Sequence, residues 1–585
     1  MEVNSMSQKE SQSTLDGKNS IPLDDLNIRK SHEKIVFKPY SQNQDFLLPK
    51  RLIDFINPSH IAFLISQIID SMDLTFVIET YKGGGTSSYE PRMLLKVWIL
   101  GFVNRVYSCR LLAKSLRESL PFIWISGNQT PDFHTLNNFR LRLKDDIKKI
   151  FKHIVVYALK SGLIEGKDVF VDHSKITANA NKHKMVWRKQ VEKQLVRIDA
   201  ELDELFSYID DLNEQENRSF HEKDLPEMDR EGFEKEKVQD LIDKINLDFK
   251  QDKINRDTAR EERKKVRRTK ELLDSKQQYQ EKKKILGKRN SYSKTDNDAV
   301  AMMMKDKLTI RPGYNEGIAV ENGLVLNYIV SDNCADNVSF IPLMEGVIDN
   351  LDKTPENTDA DSAYGNEENH VFLEKKGSNN FLKYNLYHKE KSNAWKTKKI
   401  RLQDFTYDKD NNEFICPNKN KLVFITNKEE ITKTGYKRII SSYQCKEGTC
   451  KYCRLKKKCL SQKNSTNTRT LQLSWLAQRL KEQAKNNLDS EKGKELRKRR
   501  ANEVESIFGD EKLNKLKRRY HLRGLKKVSL EAGVYYISHN LRRIHKLFNK
   551  KYQEKQEFKL KIRENPKNMI FTFLEALNLR GYVTF

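Results

Sequence analysis

Between Val186 and Leu286 the chain contains one proline, Pro226, and one glycine, Gly232. A stretch of that length with so few breakers can form little but long helix. Leu195, Ile198, Leu202, Leu205, Ile209 and Leu212 step by three and four, an a/d seam. A second helical pattern resumes after Pro226 with Val238, Leu241, Ile242 and Ile245. The first half is rich in Glu and Asp, whereas Arg260–Arg289 is heavily basic. Residues 186–289 therefore read as a helical hairpin inserted into a globular body, either a solvated coiled coil or an arm that touches a partner.

The body shows through on either side. Val169-Phe170-Val171 is a short β-branched and aromatic run that delivers Asp172 at its end, the pattern of a buried strand. Beyond the insertion, Tyr314–Val320 and Leu324–Val330 flank Glu321-Asn322-Gly323, and Asn-Gly tolerates the positive φ of a hairpin turn. Phe340–Leu351 looks helical, Thr358–Asp361 is a short connection into Tyr364-Gly365, and another helix starts at Glu367. Ahead of Asp172 lie four helical patterns: Ile61–Ile69 with Ser59 as N-cap, one from Pro91, one carrying Leu111, Leu112 and Leu116, and one opening at Asp132. With the turn Ser126-Gly127-Asn128-Gln129, this set is compatible with a helix-turn-helix-like bundle or a plain helical packing domain.

Charge narrows the partners. Lys and Arg number 109 against 82 Asp and Glu, a net +27, and the chain is 37% hydrophobic and 33% charged. Ordinary soluble domains run roughly 45–50% and about 25%. The excess points to a polyanion, nucleic acid ahead of an anionic membrane surface. The most apolar stretch, Met93–Val103, is broken by Lys96 and falls short of the roughly 18 residues a spanning helix needs. Met1–Ser20 is polar, without the apolar core of a secretory signal. Seven cysteines in 585 residues are too few for a disulfide scaffold. A soluble protein of a reducing compartment is expected.

The order strand-Asp, hairpin, helix, short strand-Asp, insert, helix-Glu is the skeleton of an RNase H-like fold with three acidic metal ligands. Cutting a phosphodiester requires charge neutralisation at the attacking and leaving oxygens, which two Mg²⁺ ions held by carboxylates provide. Three blocks carry a resemblance: Val171-Asp172-His173-Ser174-Lys175-Ile176-Thr177-Ala178-Asn179-Ala180, Asp359-Ala360-Asp361-Ser362-Ala363-Tyr364-Gly365-Asn366, and Glu503-Val504-Glu505-Ser506-Ile507-Phe508-Gly509. With His521-Leu522-Arg523-Gly524-Leu525 and His539-Asn540-Leu541-Arg542, the chain resembles the DDE transposases of bacterial insertion sequences, in the branch with a cysteine-bearing insert between the second and third acids. His173-Ser174 stands where the family usually has Gly-Thr, and the run before Asp361 is polar, which leaves Asp359 as an alternative to Asp361. Glu503 and Glu505 lie about 200° apart on a helix, and Phe508, three residues on, favours Glu505 as the inward one.

The resemblance implies an α/β RNase H-like catalytic core, a mixed sheet flanked by helices, with an N-terminal all-helical domain, the helical-hairpin insertion and a small Cys-rich insert. The expected division is a disordered tail (1–45), a helical DNA-binding domain (46–165), the first part of the core (166–185 and 290–400), the helical insertion (186–289), the cysteine insert (401–470), the helical part of the core with the third acid (471–550) and a basic tail (551–585). It also implies binding of terminal inverted repeats, then cleavage and strand transfer, with Asp172, Asp361 and Glu505 holding two Mg²⁺ or Mn²⁺ ions. A DNA-binding derivative without catalysis is the alternative. From Lys494 to Lys527 there are 13 Lys and Arg against 5 Asp and Glu; within and near this basic surface Lys175, Arg518, His521 and Arg523 are the candidate phosphate contacts. Double-stranded DNA, a second copy of the chain or more, no membrane, and a nucleoid-associated cytoplasmic location complete the expectation. Cys416, Cys445, Cys450, Cys453 and Cys459 fall within 44 residues. Four thiolates can hold a structural Zn²⁺, with free buried thiols as the alternative; five candidates for four places leave the ligand set open.

Overall fold

The computed structural model describes residues 51–81, 88–220, 256–304, 308–460, 467–515 and 517–564. The expected tail at 1–45 and the seam residues Val238, Leu241, Ile242 and Ile245 lie outside them. Two units are distinguished, Met1–Asp54 and Phe55–Phe585; the central sheet, its flanking helices, the arm and the cysteine insert all belong to the second.

The centre of that unit is a six-stranded mixed sheet. β1 (Asp168–Thr177) runs antiparallel to β5 (Ile310–Glu321), with Asp172 opposite Ile318. β5 continues through the expected hairpin into β6 (Leu324–Ser331), and Asn322 and Gly323 take φ of 55° and 73°. On its other edge β1 is parallel to β7 (Asn357–Ala360), which is parallel to β8 (Asn379–Leu382). β4 (Val300–Met303) extends the far edge of β5, and β2 (Met185–Trp187) and β3 (Ser291–Ser293) pair as a separate two-stranded sheet. Parallel pairing of β1 with β7 needs a crossover, and helix Phe340–Leu351 lies within it. The mixed sheet with flanking helices is compatible with an RNase H-like core.

β7 is the short strand that the skeleton calls for ahead of the second acid, although Thr358–Asp361 by themselves read as a connection. Asn-Thr-Asp-Ala is a poor strand sequence, yet Thr358, Asp359 and Ala360 are all buried. Partners distant in sequence make this tolerable: Thr358 shares a hydrogen bond with Ser378 (2.9 Å), and Asn357 donates to Asp168 (2.8 Å) and receives one from Asn379 (2.9 Å).

The N-terminal helices are Ile61–Asp70, Thr75–Ile78, Pro91–Val103, Cys109–Glu118, Leu120–Ile125, Phe133–Arg142 and Ile147–Lys160. Asp132 caps its helix as expected, accepting from Thr135 N–H at 2.8 Å, a contact worth about 1 kcal/mol. The first helix is capped by His60 rather than Ser59: His60 Nδ1 accepts from Ala62 N–H, while the Ser59 hydroxyl is engaged by Asn57. These helices do not form a core of their own. Trp98, Ile99 and Phe102 belong to one continuous apolar cluster with Phe170, Tyr328, Tyr536 and Ile544. The link is helix Leu525–Glu564, whose Ser538 donates to Ile99 O (3.2 Å). At Gly533 a Cβ would stand 2.3 Å from the Tyr328 hydroxyl, so helix and β6 touch only because that residue lacks a side chain. The same helix runs on through residues 551–564, the start of the expected basic tail.

Helices Arg188–Phe220 and Arg256–Leu286 pair through Leu202 and Leu272, with Arg268–Glu201 (2.7 Å) and Lys276–Asp199 (2.8 Å) across the seam. The cysteine insert is a five-stranded antiparallel sheet, β9 (Thr406–Asp408), β10 (Glu413–Ile415), β11 (Lys421–Ile431), β12 (Lys437–Cys445) and β13 (Thr470–Leu473), with its own small core of Phe405, Phe414, Leu422 and Tyr443.

Candidate active site

Side chains alternate across a strand, so Asp168, Phe170, Asp172 and Ser174 share one face of β1. In the parallel ladder Asp359 stands opposite Phe170, and Asp359 and Asp361 therefore point to that same face. Helix Glu491–Arg500 lies across it. Its last turn carries Arg499 and Arg500, about 100° apart, and the two do different things. Arg499 bonds Asp168 at 2.5 Å, joined by Lys492 at 3.1 Å, and its guanidinium lies 5.3 Å from the Phe170 ring. Arg500 sits among three carboxylates, 3.7 Å from Asp172, 3.6 Å from Asp359 and 3.9 Å from Asp361.

The three aspartates differ in solvation. The side chain of Asp361 is 50% exposed, that of Asp172 21% and that of Asp359 1%. Neither carboxylate oxygen of Asp359 has a hydrogen-bond partner, an uncommon state for a buried acid. Its burial, outweighing the nearby Arg500, Lys383 and Arg497 cations, pushes its pKa up to about 6. The next residue on β1, His173, faces the opposite side. It bonds the Tyr364 hydroxyl at 2.6 Å, and burial lowers its pKa to about 4. Gly317 makes room for the imidazole, since a Cβ there would lie 2.2 Å from Nε2.

The third acidic block follows Arg500 directly as a π-helical turn, Ala501–Glu505, packed on β1 and β5. Ser506–Gly509 is α-helical, and Asp510–Asn514 is π-helical again. Such turns carry i→i+5 bonds and concentrate at functional sites. Glu503, not Glu505, is the half-buried member: it accepts from the Gly323 N–H at 2.5 Å and faces Arg499, and burial raises its pKa. Glu505 is exposed. A cavity of about 800 Å³ opens beside Glu503, walled in part by Arg542, Arg543 and Lys546. Among the described residues no group of three or more His, Cys, Asp or Glu forms a ready metal site; the structure gathers Asp172, Asp359 and Asp361 but leaves Glu505 outside.

The basic candidates divide as well. Lys175 lies on the face of β1 opposite Asp172. Arg523 donates to Asn179 O (2.8 Å), Asn179 in turn donates to His521 O (2.7 Å), and His521 pairs with Glu531 (3.0 Å). These side chains clasp the loop after the first acid, and Arg518, exposed, donates to Lys512 O (3.3 Å). Lys512 itself bonds the Ser174 hydroxyl, two residues from Asp172. Lys512, Arg500 and Asp168 were not singled out by sequence; the only signal was the helical phase of Arg499 and Arg500 relative to two strand acids.

All five insert cysteines line one small cavity, about 20 Å³. Cys445 and Cys450 sulfurs stand 3.7 Å apart, and backbone N–H groups of Asn420 and Arg469 point at Cys416 and Cys445 sulfurs (3.3 and 3.1 Å). Burial, followed by the neighbouring Cys445, pushes the Cys450 thiol up to about 12.

Residues 415–545, which hold the cysteines, Arg500 and the third acidic block, match the family model described as a transposase DDE domain. Residues 50–142, the first six helices, match a second, described as a transposase domain (DUF772). The two matched segments, together less than half of the chain, support an insertion-sequence DDE transposase. Asp172 and Asp361 fall outside both matched segments. No curated protein and no solved structure matches the transposase. No helix among its described residues is long and apolar enough to cross a membrane.

Proposed function

We propose that this transposase binds the terminal inverted repeats of its element and carries out Mg²⁺-dependent cleavage and strand transfer, with Asp172, Asp361 and Glu505 as metal ligands. The observation that carries this reading is the convergence of Asp172, Asp359 and Asp361 around one cation on an open face of the sheet. Their oxygens are hard donors suited to Mg²⁺ or Mn²⁺, and the two unpartnered oxygens of Asp359 are what a cation-binding pocket leaves when the cation is a poor fit. Bound metal would supply charge neutralisation at the attacking and leaving oxygens. Glu503 is committed to Gly323 and Arg499, so Glu505 is the acid left to complete the set.

The chain's own cations hold the DNA. Lys512 at Ser174, Arg518 bonded to the Lys512 carbonyl and Arg523 on the loop at Asn179 gather positive charge beside the first acid. Phosphate contacts of this kind position a duplex without reading it and make binding strongly salt-dependent. Two ends must be cut together, so a dimer or larger assembly on DNA is part of the proposal. So is a structural Zn²⁺ on four of Cys416, Cys445, Cys450, Cys453 and Cys459: protein purified without chelator should carry near-stoichiometric zinc, lost in Cys450→Ser and Cys453→Ser.

The test is cleavage and strand transfer on the element's own ends with Mg²⁺ or Mn²⁺. Asp172→Asn, Asp361→Asn and Glu505→Gln should each lose about 100-fold or more in rate, since several kcal/mol of charge stabilisation disappears. Full activity in any one removes that residue from the ligand set. Binding without cleavage by the wild-type chain would instead favour the non-catalytic derivative.

A further inference from the structure

We infer that Arg500 is an internal counter-ion of the acidic site, one that a divalent cation must displace before Glu505 can join the aspartates. The inference rests on the proposed metal site. Charge-assisted hydrogen bonds run about 2.7–2.9 Å, and Arg499 reaches Asp168 at 2.5 Å one residue away. Arg500 forms nothing comparable: its three contacts span 3.6–3.9 Å, and its Nε has no hydrogen-bond partner although the side chain is only 12% exposed. It is centred among Asp172, Asp359 and Asp361 without being bonded to any by Nε or at hydrogen-bond length. Coulomb attraction holds it there, and a doubly charged ion at roughly 2.0–2.1 Å from each oxygen competes for the same attraction.

The backbone offers a way out. Arg500 ends an α-helix, and the next five residues, closing on Glu505, form a π turn. A π turn carries a residue in excess of the α-helical repeat, and moving that excess along the helix rotates one side against the other by about 100° per residue. Arg500 and Glu505 sit on the two sides of it. Shifting the turn toward the C-terminus changes the phase of Glu505 relative to Arg500 by about that angle without unfolding the helix. The α-helical stretch between this turn and a second π turn at Asp510–Asn514, Ser506–Gly509, is what the excess residue would move into.

The experiment is Mn²⁺ titration by calorimetry on the full-length, DNA-free protein, with thermal unfolding in chelator and in Mn²⁺. Arg500→Gln should bind Mn²⁺ about tenfold or more tightly than wild type and melt lower in chelator, with the deficit restored by Mn²⁺. Arg500→Lys, keeping the charge, should stay near wild type in both. Glu505→Gln should weaken Mn²⁺ binding although that side chain is exposed in the metal-free chain. Equal or weaker Mn²⁺ binding by Arg500→Gln, still abolished by Asp172→Asn, overturns the inference and leaves the metal site standing. Wild-type Mn²⁺ binding that ignores Asp172→Asn overturns the metal site itself. Should Arg500→Gln be unfolded in chelator, refolding on Mn²⁺ supports displacement, and failure to refold overturns it.

Discussion

Two carboxylate clusters lie on the same face of the sheet, each gathered round one cation, and they are built in opposite ways. Around Lys517 the acids are Glu316 and Glu511, all three side chains at most 1% exposed. Lys517 bonds Glu511 at 2.7 Å and lies 3.8 Å from Glu316, whose other oxygen accepts from Tyr520 at 2.5 Å. The rings of Tyr520, Tyr535 and Tyr536 close over the ammonium at 4.4–5.8 Å. Burial would lower the Lys517 pKa, but Glu316 and Glu511 more than offset it and hold it above the ordinary value; burial and Glu316 push Glu511 up to about 7. Around Arg500 there are three acids, contacts of at least 3.6 Å, and Asp361 half open to water. A sealed, bonded cluster fixes the segment after the third acid to β5. An open, loosely held one can trade its cation.

The sharpest way to break that contrast is to remove each cation. Lys517→Met strands two buried carboxylates and should cost about 3–5 kcal/mol in denaturant unfolding, with no recovery in Mn²⁺. A loss below about 1 kcal/mol would mean that the sealed cluster is not a staple. A second test is pH. The folded pKa of Asp359 is raised to about 6 from 3.8, so its penalty is absent below the unfolded value and accumulates as pH rises through that window. In chelator the chain should lose stability on the order of 3 kcal/mol between about pH 4 and 6 from this group, and Asp359→Asn should flatten that slope. The smallest effect separates the two glutamates: Glu503→Ala, which removes the acceptor for Gly323 N–H, should cost about 1 kcal/mol of stability and leave cleavage near wild type, whereas Glu505→Gln should not.

Much of the sheet was legible in the sequence because its signals are local. Val169–Val171 and the Asn322-Gly323 turn announce themselves within a few residues, and so do the Asp132 cap and the proline-poor arm. β7 was legible only from the order of the acids and not from its own residues, because Thr358 and Asn357 are satisfied by Ser378, Asp168 and Asn379, and no local rule anticipates those partners. The site was half legible. Strand alternation brings Asp361 to the face of Asp172, as the resemblance implied, and brings Asp359 with it. The inward turn of Glu503 depends on a π turn, which shifts the helical phase that favoured Glu505. Arg500 was hidden among Arg497, Lys498 and Arg499, four cations with nothing but phase to distinguish them.

The shared apolar cluster reaches from Trp98 through Tyr328 to Ile544, with helix Leu525–Glu564 between the first helices and the sheet. Proteins whose recognition and reaction modules are separately folded can acquire a new specificity by swapping one module for another. Among the described residues there is no seam at which to make such a swap. Replacing the first helices would strip the cover from the same long helix that supports β6. On the proposed reading, in which the first helices recognise the element's ends, new end specificity would have to arise by substitution on their outer surface, residue by residue, while their inner faces stay matched to the sheet and the long helix.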